Sequence, residues 1–209
     1  WQVSLDGGPW LDVGSSVNTA YVTWDDPLAA APFETCLYVG CQAAEDMGTT
    51  HTEQQVVNRI FSDGFSGLNV RRVDGTILKY WDGGNARATD TAGLLADANG
   101  QCGAWAEFFI DTLRSQGIGG ADKIDVYAAS NPGNDGFLVK SWSFIGSGSS
   151  PGTSPYSWVV GTDVVDNAGV PGQGNPNPPG AFFNHFIVRF GGRYYDPSYG
   201  GPSYATQWE

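Results

Sequence analysis

DANGQCGAWAEFFIDTLRSQGI, residues 97–118, decides the fold. Asn99-Gly100 is a turn signal. After it, Cys102, Ala106, Phe109, Ile110 and Leu113 fall at i, i+4, i+7, i+8 and i+11, which is one face of an α-helix. Gly117 suits the C′ position that ends such a helix. Cys102 therefore lies in the first turn, on the core side. A helix N-terminus offers partial positive charge and free N–H groups, both of which favour a thiolate. An apolar stripe also suits a plain buried cysteine. The choice rests on what the rest of the chain brings to this thiol.

The second informative stretch is HFIVRFGGRYYDPS, residues 185–198. Two β-type runs flank Gly191-Gly192, a two-residue hairpin loop. That loop sets Phe190 opposite Arg193, Val188 opposite Tyr195, Ile187 opposite Asp196 and His185 opposite Ser198. Residues directly opposite share a face, so His185 and Asp196 become diagonal neighbours, with Cβ atoms about 7 Å apart or less. A carboxylate on one imidazole nitrogen fixes the tautomer and steadies the imidazolium, and an imidazolium beside a thiol favours the thiolate. Asn184 is adjacent to His185 and so points to the opposite face. The other histidine, His51, sits in a polar turn before a helix and reads as solvated surface.

GQCGAWAEFF followed by NHFIVRFGGRYYDPSYG resembles the transglutaminase-like branch of the papain-like cysteine enzymes. In that family a cysteine opens a helix after Gly-Gln, matched by Gly100-Gln101-Cys102. A histidine follows on a strand, matched by His185, and an Asp-Pro on the next strand, matched by Asp196-Pro197. The resemblance spans residues 95–200 or so and gives no account of residues 1–90. It implies an α+β fold with a papain-like core, an antiparallel β-sheet packed on the helix that starts at Cys102. It implies a Cys102–His185–Asp196 triad, thiol acyl-transfer chemistry at amide bonds of a protein or peptide, and no cofactor. Where animal transglutaminases carry Trp directly after the cysteine, this chain has Gly103, with Trp105 two residues on. Members can add an upstream indole or amide to the oxyanion site; Trp81 and Gln101 are the available residues.

Composition narrows the function from another side. The 209 residues carry a net charge of −12, and the ten Lys and Arg are scattered. Nucleic acids and anionic membranes need clustered positive charge, so neither is an expected partner. No apolar run approaches the length of a membrane span. DGGNARAT lacks the lysine of a phosphate loop. No His/Cys grouping has zinc spacing, and Asp25, Asp26, Asp163 and Asp166 lack an EF-hand pattern, so no metal site is expected. Cys36 and Cys41 lie five apart, and in an oxidising compartment that pair is expected to form a disulfide and leave Cys102 free. Few lysines among many Gly, Ser, Thr, Asn and Trp suggest a secreted or cell-surface protein, bacterial in character. The ends at Trp1 and Glu209 read as those of a mature fragment or an excised domain.

Along the chain, WQVSLDGGPWLDV reads as a hairpin, NTAYVTWDDP and TCLYVGC as short strands, and GLNVRRVDGTILKYW as a second hairpin turning at Asp74-Gly75. HTEQQVVNRIFSDGF reads as a helix whose Thr52 and Gln55 have capping-box spacing. KIDVYAAS, FLVKSWSFI and YSWVVGTDVV read as strands, with Trp105, Trp142 and Trp158 as core. Segments 146–155 and 167–180 are rich in Gly, Pro, Ser and Asn and read as surface loops rimming the cleft. The expected organisation is a single domain over 1–209, with a β-rich portion at 1–90. The expected function is a secreted cysteine hydrolase. The alternatives are a protein-crosslinking transglutaminase and a non-catalytic binding module on the same fold.

Overall fold

The computed structural model describes residues 1–48, 50–82, 88–127, 170–178 and 184–206, with the strand backbones at 137–138, 142–144, 164–166 and 181–182. The chain opens with the expected hairpin, β1 (Gln2–Val3) against β2 (Leu11–Asp12). The positive φ angles of Asp6 and Gly7 carry its turn. Residues 18–27 form no strand. The stretch is tied to the far end of the Cys102 helix by a backbone bond from Asp25 N–H to Gln116 O (3.0 Å), and Leu28, just after it, adds another from its N–H to Arg114 O (2.9 Å).

TCLYVGC is a helix rather than a strand. Helix α1 (Glu34–Ala43) buries Cys36, Val39, Gly40 and Ala43, which fall at i, i+3, i+4 and i+7. This arrangement overturns the expected disulfide, since both Cys36 and Cys41 are free. Five residues along an α-helix turn the side chain by about 500°, which leaves the two thiols about 140° apart around one axis. Cys36 enters the core, while Cys41 donates to Val22 O at 3.3 Å. Helix α1 packs so closely on the end of the Cys102 helix that a Cβ on Gly40 would come 2.6 Å from Gln116 Nε2.

Helix α2 (Glu53–Arg59) carries the capping box of Thr52 and Gln55 in both directions, and it continues as a π-helical turn, Ile60–Phe65. Thr52→Ala removes the Oγ1 acceptor at that cap and is expected to lower unfolding stability by about 1 kcal/mol in a denaturant melt. The first ninety residues are therefore largely helical where they touch the core, not β-rich.

The stretch around Asp74-Gly75 turns as expected, although its ladder shrinks to one bridge, Arg71 to Ile77. Strand β3 (Lys79–Tyr80) then pairs in parallel with β4 (Asn99–Gly100), with the short helix α3 (Thr91–Asp97) between them. Strand β4 runs straight into helix α4 (Cys102–Ser115). Gly117, at φ +78°, closes α4 as expected. Ile118 N–H bonds to Leu113 O and Gly117 N–H to Arg114 O, the two bonds of a Schellman end.

Strand β5 (Asp122–Tyr127) follows, then β6 (Phe137–Leu138), β7 (Trp142–Phe144), β8 (Val164–Asp166), β9 (Ala181–Phe182), β10 (Asn184–Phe190) and β11 (Arg193–Tyr195). The sheet that matters for the site is antiparallel, in the order β11-β10-β5, and helix α4 packs on it. The β6–β9 and β7–β8 pairs form separate two-stranded antiparallel units. The 146–155 loop, Trp158 and Asp163 lie outside the described residues. No helix among the described residues is long and apolar enough to cross a membrane.

One hydrophobic core joins both halves of the chain. Cys36, Val57 and Phe61 share it with Trp105, Phe109, Val188 and Tyr195. Phe61, Phe109 and Tyr195 meet with ring centroids 5.1–5.6 Å apart in edge and tilted geometry, and each such pair contributes about 0.5–1.5 kcal/mol beyond its buried area. Tyr195 is also held at its hydroxyl, which accepts from Gln54 Nε2 (2.7 Å) and donates to Asn58 Oδ1 (2.6 Å). The residue next to Tyr195 is Asp196, so this packing fixes where that carboxylate begins.

Candidate active site

Four short elements converge at one end of α4. Cys102 is the first residue of the helix, after Gln101 as its N-cap. The first-turn N–H groups of a helix lack intrahelical acceptors, so the backbone at Cys102 presents donors there. His185 comes from β10 and Asp196 from just past β11. The ladder pairs Phe190 with Arg193 and Val188 with Tyr195, which is the expected register. The positive φ angles at Gly191 and Gly192 supply the tight turn that sets it.

His185 Nε2 and Asp196 Oδ2 lie 2.8 Å apart. The other Asp196 oxygen accepts from the N–H groups of Ser198 (2.9 Å) and Tyr199 (3.2 Å), so the carboxylate is held at both ends. With Nε2 taken, the buried Nδ1 is the ring atom left to serve the thiol, and Cys102 lies close enough to the imidazole to act on its charge. Cys102 and His185 are 6 % and 5 % exposed, so this contact is made in a largely water-free setting. Burial pushes the imidazole pKa down. The Asp196 charge and hydrogen bond, together with the bond to Cys102, outweigh that and push it up to about 10. The sequence thus placed His185 and Asp196 together, and the structure brings Cys102 to the same point.

Burial pushes Cys36 up to about 12 and raises Cys41 as well. Neither has an imidazole partner among the described residues.

Trp81 and Gln101, expected near the oxyanion, do flank the site in the backbone. Trp81 N–H donates to Gly100 O (3.0 Å), and Gln101 N–H donates to Ala88 O (3.0 Å). No hydrogen bond joins either side chain to Cys102 among the described residues. Asn184 points away, as expected, and donates from Nδ2 to Asp125 Oδ1 at 2.9 Å. His51 is half-buried at the surface, where it lines an open cavity with Asn58, Arg59 and Tyr195.

Tyr80 is the residue that sequence reasoning missed. The β3–β4 pairing sets it beside Gly100, two residues before Cys102. Its ring stands edge-on to His185 (6.4 Å) and Tyr199 (5.1 Å) and is wholly buried. Its hydroxyl closes no hydrogen bond of normal geometry among the described residues. Burial pushes the phenol pKa well above its ordinary value, and the neighbouring Tyr199, Cys102 and Asp196 push it further the same way. Tyr80 is therefore a neutral O–H donor at any working pH. The sequence signal was weak: a tyrosine in a two-residue strand whose partner lies twenty residues further on.

Within the 167–180 stretch the described residues, 170–178, also depart from expectation. Gly172, Gln173 and Pro178 are buried. A buried loop needs partners for its backbone, and here Gln173 N–H donates to Ser198 O (2.9 Å) while Gln173 O accepts from Tyr80 N–H (2.6 Å). Among the described residues no group of three His, Cys, Asp or Glu side chains is placed to hold a metal ion. The chain matches no protein-family model, no curated protein and no solved structure.

Proposed function

We propose that this chain is a cysteine enzyme with a transglutaminase-like, papain-like core, acting on amide bonds of a protein or peptide through a thioester. The observation that carries this reading is one buried imidazole shared between a helix-N-terminal thiol and a carboxylate 2.8 Å away. The Cys102 thiolate attacks the amide carbonyl carbon, and the carbonyl electrons move onto oxygen. The Cys102 N–H and the Tyr80 hydroxyl donate to that oxyanion. The tetrahedral species collapses, the C–N bond breaks, and the leaving amine takes the proton from His185. His185 then removes a proton from water, which attacks the thioester and releases a carboxylic acid and the thiol. A lysine amine in place of water gives a cross-link instead; hydrolysis is the favoured reading. Asp196 holds the imidazole in orientation throughout. The secreted setting suggested by composition belongs to this proposal.

An activated ester tests it without knowledge of the substrate. With p-nitrophenyl acetate at pH 6, peptide mass analysis is expected to find the acetyl group on Cys102 alone. Acetylation spread over Cys41 or lysines, with Cys102 unmodified, overturns the reading. Tyr80→Phe is expected to slow this acylation by about 10²-fold, the usual scale for removing one oxyanion donor. The same variant should alkylate with iodoacetamide at the wild-type rate, because that displacement forms no oxyanion. Equal acylation of variant and wild type removes Tyr80 from the mechanism.

A further inference from the structure

Asp196 can serve His185 only if the turn that follows it stays put; that turn closes on Asp196 through the N–H groups of Ser198, Tyr199 and Gly200, the last at 2.8 Å from Asp196 O, and its other carbonyls are held from outside. Pro197 has no N–H to give. The carbonyls of Pro197 and Ser198 take their donors from outside the turn. Both donors come from one residue. Gln173 Nε2 donates to Pro197 O at 2.9 Å, and Gln173 N–H donates to Ser198 O at 2.9 Å. The same Nε2 also donates to Phe65 O, at the end of the π-helical turn, at 2.7 Å. The backbone carbonyl of Gln173 accepts from Tyr80 N–H at 2.6 Å.

Local sequence makes this junction possible. Gln173 is wholly buried between Gly172 and Gly174. A Cβ on Gly172 would come 2.6 Å from the Tyr80 ring, and one on Gly174 would come 2.6 Å from Leu78 O. Only bare backbone can thread between β3 and the 196–199 turn. Asn175 then donates from Nδ2 to the carbonyls of Tyr80 (2.9 Å) and Trp81 (3.0 Å), which pins the other side of β3. The amide orientation of Gln173 is not arbitrary. Its two side-chain partners are both carbonyls, so only the NH₂ end can face them.

We infer that Gln173 is a positioning residue for the His185–Asp196 pair: through the Pro197 and Ser198 carbonyls it fixes the turn whose N–H groups hold the Asp196 carboxylate against the imidazole. The inference rests on the functional reading above. It adds that a residue in a glycine-rich loop, in contact with neither thiol nor imidazole, sets the protonation of the thiol–imidazole pair. The remedy for a lost Gln173 would have to come from other donors, and the neighbouring Pro197 supplies none.

The test is the rate of iodoacetamide labelling of Cys102 against pH, in wild type, Gln173→Ala and Gln173→Asn, with circular dichroism and a thermal melt on each. Gln173→Ala is expected to keep its secondary structure and a cooperative melt. Its labelling rate at pH 6 should fall by at least about tenfold, with the profile moving toward the rise near pH 8–9 of an ordinary thiol. Gln173→Asn keeps the NH₂ one methylene short and should lie between the two, and it carries the test if the alanine variant does not fold. A purely structural role would lower the melt and leave the labelling profile of the folded protein unchanged; that result overturns the assignment of Gln173 alone. A wild-type profile already that of an ordinary thiol overturns the functional reading together with it.

Discussion

Cys102→Ala is expected to abolish acylation by p-nitrophenyl acetate and all amide turnover, while the folded protein survives almost unchanged. The substitution removes only a sulfur atom. Alanine is the best helix former, so the first turn of α4 gains rather than loses local preference. The His185–Asp196 bond does not involve the thiol. The packing lost at a site 6 % exposed is expected to cost about 1 kcal/mol, the scale of a small core truncation. The variant also measures its own background. Burial pushes Cys36 up to about 12 and raises Cys41, so neither thiol can replace Cys102 below neutral pH. A folded Cys102→Ala protein that acylates or turns over at the wild-type rate would place the chemistry elsewhere. A folded variant that keeps affinity for a partner surface, while wild type shows no acylation, would favour the binding module.

What could be read from the sequence was local, and what could not was set by distant pairing. The His185–Asp196 geometry was legible because Gly191-Gly192 leaves one choice of register, and a register fixes every side chain along both strands. Helix α4 was legible because its apolar spacing and Gly117 agree. Helix α2 was legible from Thr52 and Gln55. The failures have physical causes. TCLYVGC is short and rich in Thr, Val, Tyr and Cys, which suits a strand; its helical spacing includes Gly40, whose burial serves close approach rather than hydrophobicity. Tyr80 joins the site through a two-residue parallel pairing with no local signature. Gln173 hides in a stretch whose composition signals solvent. Its glycines are there to let the backbone pass between packed elements, and the N–H, carbonyl and NH₂ of Gln173 are taken up by them, while the buried Oε1 closes no hydrogen bond among the described residues.

The second large effect is expected from His185→Ala. An ordinary thiol, with a pKa of about 8.5, is only about 0.3 % thiolate at pH 6. A thiol facing an imidazolium escapes that limit, and here the imidazole pKa is pushed up to about 10. On the proposed thiolate–imidazolium pairing, labelling of wild-type Cys102 by iodoacetamide is expected to stay fast down to pH 5–6. In His185→Ala it should fall between about tenfold and a hundredfold at pH 6, the range reflecting the lower intrinsic nucleophilicity of an acidic thiolate. The two rates should converge as pH approaches 9, where any thiol ionises. A flat profile kept in the variant would mean that the helix N-terminus alone activates the thiol. The same pair of proteins reports on stability. His185 binds its proton more tightly folded, at about 10, than unfolded, at about 6.5. The stabilisation from that proton is complete below pH 6.5 and is lost as pH rises through 10. Wild type should therefore lose melting temperature relative to His185→Ala across that window, and parallel melting curves would mean that the proton is not held by the fold.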